Sequence, residues 1–458
     1  MTITPTRRSV AELEQAARDN LWFHFAKPPG ADGVSIIARG EGCHLEDANG
    51  KRYLDGLAGL FAVQIGYSYG GEIGEAAAAQ FAELPYYPIW GYAHPPAIDL
   101  ASEVMTLAPD GFGRAFFTSG GSESVESAWK IARLFATMRG ERRWKAISRR
   151  YAYHGTTMGA LSINGIAGLR AAFEPLVPGA IRVWNTNRYA RPKGETEEEF
   201  TAFLLQDLEQ TIITETADSI SMVIMEPVQN QGGSFIAPAG YWQGVRELCD
   251  RYGILLCADE VITGFGRLGA WFASALYDLE PDLITCAKGL SSGYAPIGAV
   301  LLSDHVAETL QDAVFSHGFT FGGHPVSSAV ALKNLEIMKR ERVVENAAAN
   351  GDAFRSTLEQ LYDLPIVGDI RGTGYFYAVE LTQDRDARAV MPMADRERVL
   401  TGFIRPKLVE RGLIARVEER IAPLIQISPP LVAGQAEFDE LTRILGEVLA
   451  EAQPLLRL

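Results

Sequence analysis

Cysteine is scarce in this chain: Cys43, Cys249, Cys257 and Cys286 are the only four in 458 residues, and no two of them stand at metal-ligand spacing. That argues against a zinc-stapled or disulfide-built scaffold. Three of the four sit in apolar or helical contexts, where a reduced thiol behaves as a small hydrophobe. Positive charge is short as well, with 42 Lys and Arg against 57 Asp and Glu and a formal net charge of −15. A surface of that sign repels phosphate backbones and anionic headgroups, so neither nucleic acid nor a membrane is an expected partner. No apolar run reaches the ~20 residues needed to cross a bilayer. The opening residues 1–8 lead into a polar amphipathic segment without an apolar core, so no secretory leader is expected. No G-x-G-x-x-G opens a strand–helix–strand unit, which removes the signature of a dinucleotide-binding oxidoreductase. Repeats and low-complexity tracts are missing too. What is present is the balance of a soluble globular protein, 47% hydrophobic and 22% charged. The length implies two or three substructures around a large core. The expectation is a cytoplasmic enzyme.

Along the chain, Ser9 and Glu12 form a capping-box pattern that opens a helix through Leu21. Trp22, Phe23 and Phe25 form an aromatic cluster ahead of Pro28-Pro29-Gly30. Strands are expected at 34–38, 43–45 and 52–54, with Asn49-Gly50 turning a hairpin. Residues 57–70 read as a Gly-punctuated loop, followed by an Ala-rich helix over about 72–84. From Ile98 helix and strand alternate: helices at 98–107, 122–138 and 241–252, strands at 114–117, 145–148, 222–225 and 254–258. The charged run 193–199 reads as a loop and helix start with Thr196 as N-cap. This alternation predicts an α/β fold, a mainly parallel sheet with helices on both faces. It ends near Gly322-Gly323-His324-Pro325. Beyond lie a long helix at 326–340 and an α+β part with helices near 343–361, 396–410 and 437–451 and strands near 367–370, 375–381 and 424–427.

Lys288 stands where the apolar run 283–287 ends and a turn-rich stretch of Gly289, Ser291, Ser292, Gly293 and Pro296 begins. Burial disfavours a charged amine and lowers its pKa, which prepares a lysine to condense with a carbonyl compound such as pyridoxal phosphate (PLP). A snorkelling lysine at a strand end is the commoner alternative. Asp259 ends the run 254–258, 29 residues earlier, about one strand–crossover–strand unit. Both groups then open at the carboxyl ends of the strands, where open α/β sheets bind ligands. They form either a buried salt bridge or, with PLP, a carboxylate facing the pyridine nitrogen and a lysine holding the reactive carbon. Phe117-Thr-Ser-Gly-Gly-Ser-Glu-Ser124 turns a strand through Gly120 and Gly121 into a helix whose first amides are free for a phosphate-sized anion. Tyr153-His154 offers an aromatic face for a flat ring or ordinary core packing. Glu226, before Pro227, is either a supporting carboxyl beside Asp259 or a carboxylate held by backbone amides.

Together these segments resemble the class III aminotransferases, PLP enzymes of fold type I, over nearly the whole chain. The most specific are Leu256-Cys-Ala-Asp-Glu-Val-Ile-Thr-Gly-Phe-Gly-Arg-Leu-Gly269 and Pro281-Asp-Leu-Ile-Thr-Cys-Ala-Lys-Gly-Leu290, supported by Gly318-Phe-Thr-Phe-Gly-Gly-His-Pro325. Within that class the chain looks closest to the ω-aminotransferases, which pair an amine or ω-amino acid with pyruvate. The resemblance implies an N-terminal segment 1–70 packing with the small domain, a large PLP-binding domain 71–330 and a C-terminal small domain 331–458. It implies Lys288 as the proton-shuttling lysine and Asp259 under the ring nitrogen. It implies Gly120, Gly121 and Ser122 around the phosphate, Tyr153 and Val261 on opposite ring faces, and His154 and Glu226 close by. Thr320 is implied to reach the phosphate of a neighbouring subunit, making a homodimer or higher assembly with shared sites. Arg416, in Gly412-Leu-Ile-Ala-Arg416, matches a mobile arginine that receives a substrate carboxylate, and Phe61, Trp90 and Tyr153 are candidates for the pocket wall. No metal is expected. Two departures stand out: Gly120 replaces a hydroxyl residue and removes one phosphate contact, and the spacer from Arg416 to Ser428 is long and charged. An aminomutase, a decarboxylase or a PLP-domain ligand sensor are the alternatives to transamination.

Overall fold

The computed structural model describes residues 8–27, 34–192, 194–389 and 391–457. The first seven residues, Pro28-Pro29-Gly30 and Lys193 of the charged run lie outside them. The central sheet is made by strands too apolar to leave either face in water: β7 (Ile220–Met225) is buried at every position, as are β10 (Leu255–Asp259) and β11 (Leu283–Cys286). With β4 (Phe112–Thr118), β5 (Lys145–Arg149), β6 (Ala180–Val183) and β12 (Gly298–Ser303) they form seven strands in the order β4-β12-β11-β10-β7-β5-β6. β12 alone runs antiparallel to its neighbours. A parallel return needs a crossover of a dozen or more residues. The link from Cys286 to Gly298 is turn chemistry around a single 3₁₀ turn, so the chain reverses. The expected mainly parallel α/β sheet is present, with that one exception.

β1 (Ile37–Glu41), β2 (His44–Asp47) and β3 (Arg52–Asp55) make an N-terminal meander, and β15 (Leu413–Ile414) adds to β3 in parallel. β8 (Val228–Gln229) and β9 (Phe235–Ile236) form a short pair. β13 (Val367–Thr373), β14 (Phe376–Leu381), β17 (Leu424–Ile427) and β16 (Arg416–Glu418) form an antiparallel sheet in that order. Ser9 and Thr196 cap their helices with complete capping boxes, and Gly253 ends the helix Tyr241–Tyr252 in the left-handed conformation.

Three local expectations are corrected. The aromatic cluster after the first helix does not pack: Trp22 and Phe25 are exposed, because the helix Val10–Asn20 buries no residue against which they could close. The 57–70 loop contains a helical turn, Ala58–Phe61, with left-handed Ala58, Gly59 and Phe61. The helix near 396–410 is interrupted by wide π-type turns over Glu397–Ile404 before Arg405–Glu410 resumes. Pro406, which has no N–H and would crowd the preceding turn, accounts for the widening.

Candidate active site

Four strands deliver side chains to one edge of the central sheet. Asp259 is the last residue of β10, Glu226 follows β7, Tyr153 and His154 follow β5, and Lys288 lies two residues beyond β11. Parallel strands carry their carboxyl ends to the same side, so residues far apart in sequence share one cavity of about 420 Å3. Its lining includes Gly120, Gly121, Ser122, Tyr153, His154, Glu226, Asp259, Val261 and Lys288.

Lys288 sits in a 3₁₀ turn with φ of 40°, left-handed backbone that a side-chain-bearing residue adopts at a cost. Burial pushes its amine down to about 8, against the opposing pull of Asp259 and Glu226. An amine in that range is part neutral near physiological pH and hence nucleophilic. Asp259 is fixed at both oxygens: Oδ2 meets His154 Nδ1 at 2.6 Å, and Oδ1 accepts from Thr285 Oγ1 at 3.1 Å and the Val261 amide at 3.2 Å. His154 is tied in turn by its amide to Asn164 Oδ1 at 2.6 Å. Glu226 accepts from the amides of Tyr153 at 3.2 Å and Asn230 at 2.9 Å, and burial pushes its carboxyl up. Glu226 is thus satisfied by backbone amides and lines the same cavity as Asp259.

The helix Gly121–Met138 begins at the cavity with Gly120 as N-cap and no side chain capping it, leaving the positive end of the helix dipole and free amides there. Gly121 is constrained by space, since a Cβ there would come within 2.8 Å of Val261 Cγ1. Gly120 is not, since a Cβ there meets nothing within 4 Å and its φ of 174° suits any residue. Ser122 Oγ accepts from the Thr156 amide at 3.1 Å.

Four sequence candidates, Phe61, Trp90, Thr320 and Arg416, do not line this cavity within one chain. Phe61 is buried, its ring edge-on to Phe376 at 5.5 Å in an apolar cluster with Val228 and Ile262; those two reach the cavity and Phe61 stands behind them. Trp90, 63% exposed, lines a separate cleft with Phe116, Phe315 and Phe319. Thr320 is exposed, and its carbonyl accepts from Tyr86 Oη at 2.8 Å. Arg416 lies at the start of β16, close enough that its charge acts on Tyr153 and Lys288. The backbone at Arg416 is part of a paired strand, with Arg416 opposite Gln426. Sequence reasoning missed Thr285, Asn164, Asn230 and the buried Arg149, which donates to the Glu226 carbonyl and to Thr186 Oγ1. The alternation along β11 that turns Thr285 toward Asp259 was a usable signal; the others carried none.

The class-III aminotransferase family model matches residues 27–449. The chain belongs to the class-III aminotransferases. This aminotransferase is 48% identical over 454 residues to a probable aminotransferase of Mycobacterium tuberculosis, covering 98% of this chain and 97% of that one. It is 35% identical over 450 residues to the putrescine–pyruvate aminotransferase of Pseudomonas aeruginosa, covering 97% of each. Among solved structures it superposes on an (S)-enantioselective ω-transaminase from Thermomicrobium roseum with TM-score 0.92 and 41% identity, covering 97% of this chain and 99% of that one. It superposes on the ω-transaminase of Pseudomonas jessenii in complex with PMP with TM-score 0.89 and 34% identity, covering 96% of this chain and 98% of that one. The fold is thus that of the PLP-dependent transaminases, and the aminotransferase is a PLP enzyme. Its residues fit that group. One cavity holds a lysine amine of depressed pKa, a fixed carboxylate, an uncapped helix start and a glycine whose lost Cβ makes room beside Val261.

Proposed function

We propose that this aminotransferase moves an amino group from an amine or ω-amino acid to a keto acid such as pyruvate in two alternating half-reactions, with Lys288 as its proton-moving base. PLP, when bound, supplies the carbon that takes up the amino group and a ring that draws electrons from the bond being broken. Lys288, its amine lowered to about 8, holds and returns the substrate proton, and a base poised near working pH suits that task. Asp259, its geometry set by His154, Thr285 and the Val261 amide, presents a fixed negative charge to the ring nitrogen. Gly120, Gly121 and Ser122 at the helix start receive the phosphate, and Tyr153 and Val261 flank the ring. Arg416 pairs with the acceptor's carboxylate through its planar fork.

The observation that carries the reading is the convergence of Lys288 and Asp259 on one cavity beside an uncapped helix start. Activity of the P. aeruginosa relative on putrescine and pyruvate supports an amine donor and pyruvate as acceptor. Thr320 and Trp90, absent from the lining of the Lys288 cavity in their own chain, are assigned to the site of a second subunit in a homodimer. Exposed Trp90, Val314 and Phe321 support that contact, since so much apolar surface in one region marks an interface. Phe61 shapes the pocket wall only through Val228 and Ile262. The division into an N-terminal segment 1–70, a large domain 71–330 and a small domain 331–458 is part of the same reading, supported by the ladder of β3 with β15. Four free, buried cysteines favour the reducing cytoplasm. A panel of amines with and without a carboxylate, assayed against pyruvate, tests the function. One keto acid consumed per amine lost is expected; amine loss without keto-acid consumption would favour a decarboxylase or aminomutase.

A further inference from the structure

β16 places Arg416 and Glu418 two residues apart, hence on one face of the strand, with buried Val417 on the other. Arg416 Nη2 donates to Glu418 Oε2 at 3.3 Å, its one hydrogen bond among the described residues, although a guanidinium carries five donors. Glu418 is far better held from the other side. Arg420 grips both oxygens, Nε to Oε1 and Nη2 to Oε2, each at 2.9 Å, and its amide adds a bond of 3.0 Å to Oε1. The Glu418 side chain is only 3% exposed, that of Arg416 20% and that of Arg420 52%. Glu419 is turned away, paired with Arg405. The turn itself is pinned, because Arg396 donates to the carbonyls of Glu419 and Ile421 and Arg405 to that of Val417. The backbone beneath Arg416 is therefore fixed, and movement is left to its side chain.

We propose that Glu418, clamped by Arg420, is a resting post for Arg416, so that the pair of positioning residues sets how readily Arg416 turns to an incoming carboxylate. The inference rests on Arg416 being the receptor for the acceptor's acid group. A buried carboxylate stripped of its only partner is strongly disfavoured. If Arg416 were that only partner, each turn toward a keto acid would strand Glu418. Arg420 removes the penalty: it keeps both oxygens satisfied while Arg416 gives up one long bond. When an apolar amine occupies the pocket, Glu418 takes Arg416 back, and no unpaired guanidinium faces the apolar group. Burial pushes the Glu418 carboxyl up, but the bonds and charge of Arg420, with a smaller pull from Arg416, outweigh this and hold it below the usual range. The long charged spacer after Arg416 is what makes the device possible, since it supplies Arg420 and the pinned turn.

The two positioning residues act in opposite directions, and the test uses that. The dissociation constant of benzoate, a carboxylate that cannot be transaminated, is measured on the holoenzyme by calorimetry, together with KM for pyruvate and for 1-phenylethylamine. Arg420→Met leaves Glu418 dependent on Arg416 and is expected to weaken benzoate roughly tenfold, about 1.4 kcal/mol, raising KM for pyruvate more than that for the amine. Glu418→Gln frees Arg416 and is expected to tighten benzoate while raising KM for the apolar amine. Arg420→Lys retains the charge but cannot hold both oxygens, so it falls between wild type and Arg420→Met; it carries the test if the Met variant does not fold. Shifts of the same sign in Arg420 and Glu418 variants, or no shift in either, would overturn the resting post. Arg416→Ala separates the levels. If it does not weaken benzoate, the reading of Arg416 as acid receptor fails, and this inference with it. If it does, while the other variants move together, only the resting post fails.

Discussion

The two ends of the active site are built on opposite principles. At the cofactor end, Asp259 has partners on both oxygens, Glu226 on both of its own, and Lys288 is locked in a left-handed turn between strands buried on both faces. At the end proposed to bind the acid, Arg416 rests on a paired strand but its side chain uses one long bond, and the carboxylate it touches is held by another arginine. The first end performs the same chemistry in both half-reactions, so any freedom there would only loosen the geometry. In the proposed reaction the second end meets a carboxylate in one half-reaction and an apolar group in the other, which calls for two arrangements of similar free energy. The backbone is fixed in both; only the satisfaction of side-chain hydrogen bonds differs.

The largest test of the rigid end is Lys288→Ala. Losing the amine is expected to cost roughly 10⁴-fold or more in turnover, with the fold intact, and borohydride is expected to fix the cofactor to Lys288 in the wild type. A labelled peptide from another lysine would remove the assignment. Mixing this variant with an inactive Thr320 variant is expected to restore part of the activity in hybrids, and no rescue would place the whole site within one chain.

Asp259→Asn keeps the shape of the side chain, removes the charge and turns one of its two accepting oxygens into an amide donor. A loss on the order of 10²-fold in kcat is expected, equal for acidic and apolar substrates because the rigid end serves both. A loss confined to one substrate type would blur the distinction between the two ends. The Arg416, Glu418 and Arg420 variants are expected to behave in the contrary way, splitting the substrates.

A smaller effect concerns pH. Burial holds the Lys288 amine near 8, so the amine is protonated below that value and neutral above it. The rate at which cofactor-free enzyme takes up PLP, followed by visible absorbance, is expected to rise with pH up to about 8 and then level off. A rate still climbing past pH 9 would mean that burial does not depress this amine. The smallest expected effect comes from Gly120→Ser. The position has room and an extended backbone, and a serine there would cap the helix and add one hydroxyl donor. Cofactor loss during dialysis is expected to slow by no more than about tenfold, with kcat unchanged to first order. Faster loss would show that the bare backbone is already the better cradle.

Much of the fold was legible because the runs that form β7, β10 and β11 are short and largely apolar, a pattern that favours strands in a covered parallel sheet. The lysine and the aspartate were legible for the same reason, as charged residues ending such runs. The antiparallel β12 was concealed in a connection whose length alone decides strand direction. Phe61 and Trp90, the aromatic candidates for the pocket wall, do not line the cavity within one chain, because aromatic identity says nothing about depth. One ring is covered by its packing against Phe376, and the other opens on a cleft of its own.

By itself, then, the sequence determined the alternation of elements, the strand ends that carry Lys288 and Asp259, and the glycine turn that starts the helix at 121. Each follows from local burial pattern or turn chemistry, which need no knowledge of what lies opposite. Only the tertiary structure decided that His154 and Thr285 fix Asp259, that Asn230 and the Tyr153 amide hold Glu226, and that Glu418 rather than Glu419 takes Arg416. Those are pairings between polar groups from different elements. Which donor meets which acceptor depends on the distances set when the sheets pack.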